Sequence, residues 1–148
     1  GLRADCSTLL DVEGSPFTLL RCENQNDLAQ RIKSCGMGCF NHRARTFFAL
    51  AHSDLDLKTC SVEELEQIPG IGPKTSRFFL LHTRRDVTVA VLDTHILRYM
   101  SDLGHDVPRS TPTGKRYLEL EQTFIGLADL SQKTLAQFDL DIWNEYRK

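Results

Sequence analysis

The 148-residue chain holds no C-x-x-C pair, no internal repeat, no low-complexity tract and no apolar run long enough for a membrane span. Without that cysteine spacing a zinc or iron–sulfur site has little support, and no metal or cofactor is expected. A bilayer-spanning helix needs about 20 mostly apolar residues, so no membrane partner is expected either. The opening residues lack a basic stretch followed by an apolar one, which argues against a secretory signal. A surplus of positive charge is also missing, because 18 Lys and Arg against 20 Asp and Glu leave a net charge of −2. Bulk charge therefore gives no sign of nucleic-acid binding.

What is present bounds the class. The length suits one domain, residues 1–148, with a real core and a short, weakly patterned N-terminal segment, residues 1–26. Cys6, Cys22, Cys35, Cys39 and Cys60 make an odd count, which points to reduced thiols in a cytosolic compartment. Cys35 and Cys39 lie four apart but read as free thiols. Charge is better read by distribution than by sum. Arg31, Lys33, His42, Arg43 and Arg45 crowd one region, and Lys74, Arg77, Arg84, Arg85 and Arg98 another. Acidic residues gather at Glu63, Glu64 and Glu66, and toward Glu119, Glu121, Asp139 and Asp141. A basic face on a near-neutral protein suits a phosphate-bearing partner.

The pattern along the chain is helical. Leu9, Leu10, Phe17, Leu19 and Leu20 are interrupted by Gly14-Ser15-Pro16. Asp27 is expected to cap a helix carrying Leu28 and Ile32 and ending near Gly36. Asn41 is expected to cap a helix through His52, with Ala44, Phe47, Phe48 and Leu50 or Ala51 inward. Ser61 and Glu64 have capping-box spacing. Phe78, Phe79 and Leu81 read as the buried face of the helix after Pro73. Val87–Val91 is the only strand-like run, too short to demand a sheet. Asp93 or Thr94 caps the next helix, which carries Ile96, Leu97 and Met100. After a loop from Pro108 to Pro112, Thr113 or Gly114 starts a long helix with Tyr117, Leu118, Leu120, Phe124 and Leu127. Ser131 is expected to cap the last one, with Leu135, Phe138, Leu140, Ile142 and Trp143 inward. The fold class is all-α, a bundle of roughly seven or eight short helices.

Chemistry concentrates in Ile68-Pro69-Gly70-Ile71-Gly72-Pro73-Lys74-Thr75. Pro69 helps to end one helix, and Pro73 fits the first turn of the next, where a missing N–H is no loss. Gly70 and Gly72 are expected to take backbone angles that a side chain would resist. Ile71 is expected to pack inward. Backbone amides at the following helix start would then form an anion site that reads phosphate and not base. Lys74, just inside that helix, and Asp93, at the start of the next, place an amine and a carboxylate where they can face one cleft.

These residues resemble the helix-hairpin-helix DNA glycosylase superfamily, which includes endonuclease III and the 8-oxoguanine glycosylases. The hairpin matches the pattern L-P-G-x-G-x-K-T/V, and Leu92-Asp93-Thr94-His95-Ile96 matches V-D-T/x-H-I/V. Upstream, Ile32-Lys33-Ser34-Cys35-Gly36 and Asn41-His42-Arg43-Ala44-Arg45 are similar to the "I-K-x-x-G…N-x-K-A" element. Tyr117–Glu121 and Phe138–Trp143 resemble the ending of the small archaeal-type 8-oxoguanine glycosylases. The likeness covers roughly residues 27–148. It implies excision of a damaged base from double-stranded DNA, with 8-oxoguanine as the leading base. A lysine at the position of Lys74 implies strand nicking by β-elimination as well. No four-cysteine cluster follows, so no iron–sulfur cluster is implied. Residues 1–26 are short for the N-terminal portion that usually plugs the emptied duplex. A fragment, a reduced form and a member with another plug all stay open.

Lys74 is then expected to attack C1′ of a flipped nucleotide as a neutral amine. Its helix N-terminus, neighbouring Arg77 and partial burial would all disfavour the ammonium. Asp93 would remain ionised at its own helix start and stabilise positive charge on the sugar. Expected DNA contacts are Gly70, Ile71, Gly72, Thr75 and Arg77, together with Arg43 and Arg45. His95 reads as a packed or capping histidine, Phe40, Phe47 and Trp143 as core, and Lys148 as a frayed end. The protein is expected to act as a monomer in the cytoplasm, at the nucleoid of a prokaryote or in the nucleus of a eukaryote. Two rivals stay open: a hairpin module that only holds DNA, and a hydrolase of free modified nucleosides.

Overall fold

A computed structural model of the chain describes residues 16–147. Cys6, Leu9, Leu10, Gly14, Ser15 and Lys148 lie outside them. Eight helices and no strand occur among the described residues: α1 (Pro16–Cys22), α2 (Gln25–Ser34), α3 (Phe40–Ala51), α4 (Val62–Glu66), α5 (Pro73–Thr83), α6 (Thr94–Asp102), α7 (Gly114–Leu130) and α8 (Leu135–Tyr146). The all-α expectation holds. None of these helices is long and apolar enough to cross a membrane. The chain divides into two compact units between Ile71 and Gly72.

In the first unit α2 and α3 pack together and α1 lies on α3. Leu28, Ala29, Ile32 and Ala44 form the centre, with Met37, Phe47 and Phe48 against it. Two caps differ from expectation. Asn24, not Asp27, caps α2: its side-chain oxygen accepts from the Asp27 N–H at 2.9 Å. Asn41 lies inside α3, which starts after Cys39 in the left-handed region at φ 54° with no side-chain cap. Gly36 follows α2 at φ +76°. Helix α1 escaped the sequence pattern because seven residues give too few turns for a period. The capping box forms as expected, with the Ser61 hydroxyl accepting from Glu64 N–H at 3.2 Å and the Glu64 carboxylate from Ser61 N–H at 2.7 Å. Leu65 and Ile68 are buried.

In the second unit α8 packs on α5, α6 and α7. Its centre includes Leu92, Ile96, Met100, Tyr117, Phe124 and Phe138. The strand-like run around Val87–Val91 forms no strand and joins no sheet, and side chains replace the missing ladder. Ala90 N–H donates to Glu121 at 2.9 Å, the Tyr117 hydroxyl donates to Ala90 C=O at 2.8 Å, and Leu92 N–H donates back to that hydroxyl at 3.1 Å. The Thr111 hydroxyl donates to Leu92 C=O at 3.0 Å. A buried backbone group without a partner costs about 1–3 kcal/mol, so these contacts fix the segment that leads into Asp93.

Three expectations fail here. Thr134 caps α8, accepting from Gln137 N–H, whereas Ser131 closes α7 and donates to Ala128 C=O at 2.7 Å. The buried face of α5 is Ser76, Arg77, Leu80 and Leu81, which follows the helical period from Pro73. That period turns Phe78 outward, 54% exposed, and leaves Phe79 half-buried. Leu118 and Leu140 are also exposed.

Candidate active site

The turn between α4 and α5 treats its two glycines differently. Gly70 has φ +90°, and a methyl group there would collide with the Thr46 hydroxyl and press on His42. Gly72 has φ −106°, extended backbone that any residue adopts, and open space where a Cβ would sit. The expectation of special backbone angles is therefore correct for Gly70 and wrong for Gly72. Ile71 is half-buried, and its N–H donates to Ile68 C=O at 3.0 Å, so that amide is spent within the turn. Gly72 caps α5 without a side chain, and Pro73 opens the helix. The first amides of α5 thus lack both intrahelical partners and a capping oxygen. Lys74 and Thr75 are exposed on this first turn.

Arg77 requires a correction. It is 6% exposed and so is not on a surface that meets DNA. Its guanidinium donates to Glu121 at 2.7 Å and 3.3 Å and lies 4.4 Å from the Tyr117 ring. Glu121 also holds Ala90 N–H, so one buried group ties the helix bearing Lys74 to the segment bearing Asp93. Apolar surroundings reward full pairing of both charges, and this pair is doubly bonded. Nor is Lys74 partly buried as expected.

Asp93 caps α6. Its Oδ1 accepts from His95 N–H at 2.8 Å and Ile96 N–H at 2.9 Å, and the residue is 7% exposed. Both bonds use the same oxygen, so Oδ2 is not consumed by capping. Lys74 and Asp93 line one cavity of about 390 Å³, together with Phe78, His82, Val91, Asp139, Leu140 and Trp143. The sequence reading missed Phe78, His82 and Asp139. It placed Trp143 in the core, whereas the ring is half-buried on the cavity, with Arg147 4.7 Å from its centroid. His95 is tied to Tyr146 C=O through Nδ1 at 3.0 Å and meets Trp143 edge-on.

Asp139 is the unusual group. It is 6% exposed, its Oδ1 has no hydrogen-bond partner among the described residues, and its Oδ2 lies 3.8 Å from His82 Nε2. Burial first, and then the charge of Asp93, push its carboxyl up to about 7. The spacing of Asp139 and Trp143, four apart on α8, was the available signal, because it sets both on one helix face. No group of three or more His, Cys, Asp or Glu side chains converges to hold a metal among the described residues.

Arg43 and Arg45 are exposed on α3 in the first unit, and Lys33 lies over the Phe40 ring at 5.3 Å. Among the free thiols, Cys60 is buried, Cys35 half-buried, and Cys22 and Cys39 exposed.

A helix–turn–helix step into α5, an amine on its first turn and a capping carboxylate on the same cavity define a helix-hairpin-helix class of protein. Residues 15–133 match the family described as 8-oxoguanine DNA glycosylase, and the chain belongs to that family. Three archaeal relatives carry the name 8-oxoguanine DNA glycosylase/AP lyase. That of Methanocaldococcus jannaschii is 29% identical over 132 residues, covering 80% of this chain and 62% of the relative. That of Metallosphaera sedula is 33% identical over 81 residues, covering 55% and 39% respectively. That of Picrophilus torridus is 35% identical over 82 residues, covering 53% and 37%. The chain thus spans from about two fifths to three fifths of their lengths. No solved structure is significantly similar to it.

Proposed function

We propose that this chain is a DNA glycosylase with AP-lyase activity, acting as a monomer on double-stranded DNA that carries a damaged base, 8-oxoguanine first among them. The observation that carries this reading is the shared cavity: an exposed amine, Lys74, and a buried carboxylate, Asp93, line the same opening. The names of the relatives support the choice of base.

A base stacked in a duplex is out of reach, so the nucleotide is flipped out at a cost of a few kcal/mol. A cavity of about 390 Å³ is in the range of small-ligand sites. Phe78 and Trp143 offer aromatic surface to a base, and Asp139 a polar atom for its edge. The Lys74 amine attacks C1′, and the C1′–N bond breaks as the base leaves with a proton. Ring opening gives a Schiff base between Lys74 and the sugar. Loss of a C2′ proton then expels the 3′ phosphate. Asp93 stabilises positive charge on the sugar and assists these proton transfers. Phosphate is gripped by the amides at the start of α5 around Gly72 and Thr75. Arg43 and Arg45 add sequence-independent charge. Arg77 has no part in this contact.

Borohydride trapping tests the reading. A duplex with 8-oxoguanine should give a covalent adduct with the wild type and none with Lys74→Gln. Salt-sensitive binding with no adduct and no base release would establish a binding module instead. Release from free nucleosides alone would establish a nucleoside hydrolase.

A further inference from the structure

His82 has no place in the chemistry above, yet it lines the cavity and reaches toward its least satisfied atom group. It stands two turns beyond Lys74 on α5, and its ring lies 4.7 Å from that of Phe78, tilted by 54°. Its Nε2 approaches Asp139 Oδ2 at 3.8 Å. That separation is too long for a hydrogen bond and short enough for strong charge coupling. Asp139 therefore has one oxygen beside an imidazole and the other, Oδ1, buried without a partner.

The remaining charges around Asp139 are accounted for. On α5, Lys74 shares the cavity. At the start of α6, Asp93 adds negative charge, and His95 is engaged by Tyr146 C=O. On α7, Glu121 is turned to Arg77 and Ala90 N–H. On α8 itself, Asp141 is bonded to Lys133 and Gln137. Burial and Asp93 both favour a protonated Asp139, and His82, charged only when protonated, is a basic group set against its carboxyl.

We propose that His82 is a positioning residue for Asp139. When protonated, its imidazole favours the Asp139 carboxylate across the 3.8 Å contact, so that Oδ1 meets the occupant of the cavity as an acceptor. As pH falls, the same group takes up a proton, becomes a carboxylic acid and can donate. A carboxylate selects a base edge that presents N–H groups, and an acid selects one that presents a carbonyl or ring nitrogen. The pair thereby couples pH to the choice of base. This rests on the cavity being the base-binding site.

The coupling is measurable without any reaction. The Asp139 carboxyl carbon is followed against pH by NMR, its signal assigned by its loss in Asp139→Asn. In His82→Gln its midpoint should rise by about one unit, the lower end of the effect of a nearby opposite charge. An unmoved Asp139 midpoint in His82→Gln would overturn the proposal. With an 8-oxoguanine duplex, His82→Gln should move the pH profile of base release only when Asp139 is present. Equal slowing by His82→Gln in the wild type and in the Asp139→Asn variant, with no shift in profile, would reduce His82 to a stacking partner of Phe78 and overturn it too. A midpoint shift in His82→Gln together with no base release by the wild type would sink the glycosylase reading and leave the coupling standing.

Discussion

Two polar regions of the second unit make opposite use of buried carboxylates. Around Glu121, 5% exposed, each charge is matched: a guanidinium bonds both oxygens, and Ala90 N–H bonds one of them again. Around Asp139, 6% exposed, the carboxyl keeps an orphan oxygen, a like charge at Asp93 and only a distant imidazole. Burial alone therefore does not separate scaffold from site. Satisfaction does. The Glu121 network is closed and holds the two segments that deliver Lys74 and Asp93. The Asp139 cavity is open, and its unmet hydrogen-bonding capacity is available to a ligand.

The largest effect should come from opening the closed network. Glu121→Ala strands the Arg77 charge and the Ala90 N–H, and should cost about 3–5 kcal/mol in unfolding free energy. Denaturant titration measures it. Lys74→Gln, at an exposed position, should stay within about 0.5 kcal/mol of the wild type in the same titration. Equal losses in the two variants would erase the distinction between scaffold and site.

Next in size is Asp93→Asn. Asparagine caps helices as well as aspartate does, so α6 and the melting temperature should survive. Base release should fall by roughly 10²–10³, the loss seen when one preorganised electrostatic partner is removed. Single-turnover kinetics on the 8-oxoguanine duplex give the number. An active Asp93→Asn enzyme would leave Asp93 as a cap and nothing more.

Asp139→Asn should do the reverse of Glu121→Ala and stabilise the protein. A carboxyl raised from 3.8 to about 7 binds a proton more tightly in the folded state. Its cost to stability is absent below its unfolded value, grows as pH rises from about 4 to 7, and is complete above 7. The variant should therefore match the wild type near pH 4 and exceed it by about 2 kcal/mol at pH 8. That is about half of what a three-unit rise would give, because the new amide leaves groups of its own unpaired. A gain independent of pH would show that packing, not charge, is responsible.

Much of this architecture was legible because it rests on local rules. The capping box at Ser61, Pro73 on the first turn and Asp93 at a helix start are set by neighbours within four residues. The misreadings of Arg77, Asp139 and His82 share one cause, which is distance along the chain. Arg77 read as a DNA contact because its partner, Glu121, is 44 residues away. Asp139 had only its four-residue spacing to Trp143 to mark it, His82 carried no local motif, and only the packing of α5 and α8 brings the two together. Val87–Val91 looked like a strand because β-branched residues suit extended backbone, but the partners of that backbone are side chains of α7 and the loop before it, which no period reveals.

The finest contrast lies within the hairpin itself, where the family motif gives both glycines equal weight and the geometry does not. Gly70→Ala must tolerate φ +90° and a methyl group against Thr46, and should cost about 1–2 kcal/mol of stability or more. Gly72→Ala meets neither obstacle, since its backbone is extended and nothing lies within 4 Å of the new carbon. If Gly72 were retained for folding, that substitution would destabilise the protein. If it is small so that a phosphate can approach the first amides of α5, the variant should melt with the wild type and bind duplex DNA about tenfold more weakly, the equivalent of one lost phosphate contact of ordinary strength. Fluorescence anisotropy with an undamaged duplex at fixed salt decides between them, because affinity for undamaged DNA does not depend on which base the cavity accepts.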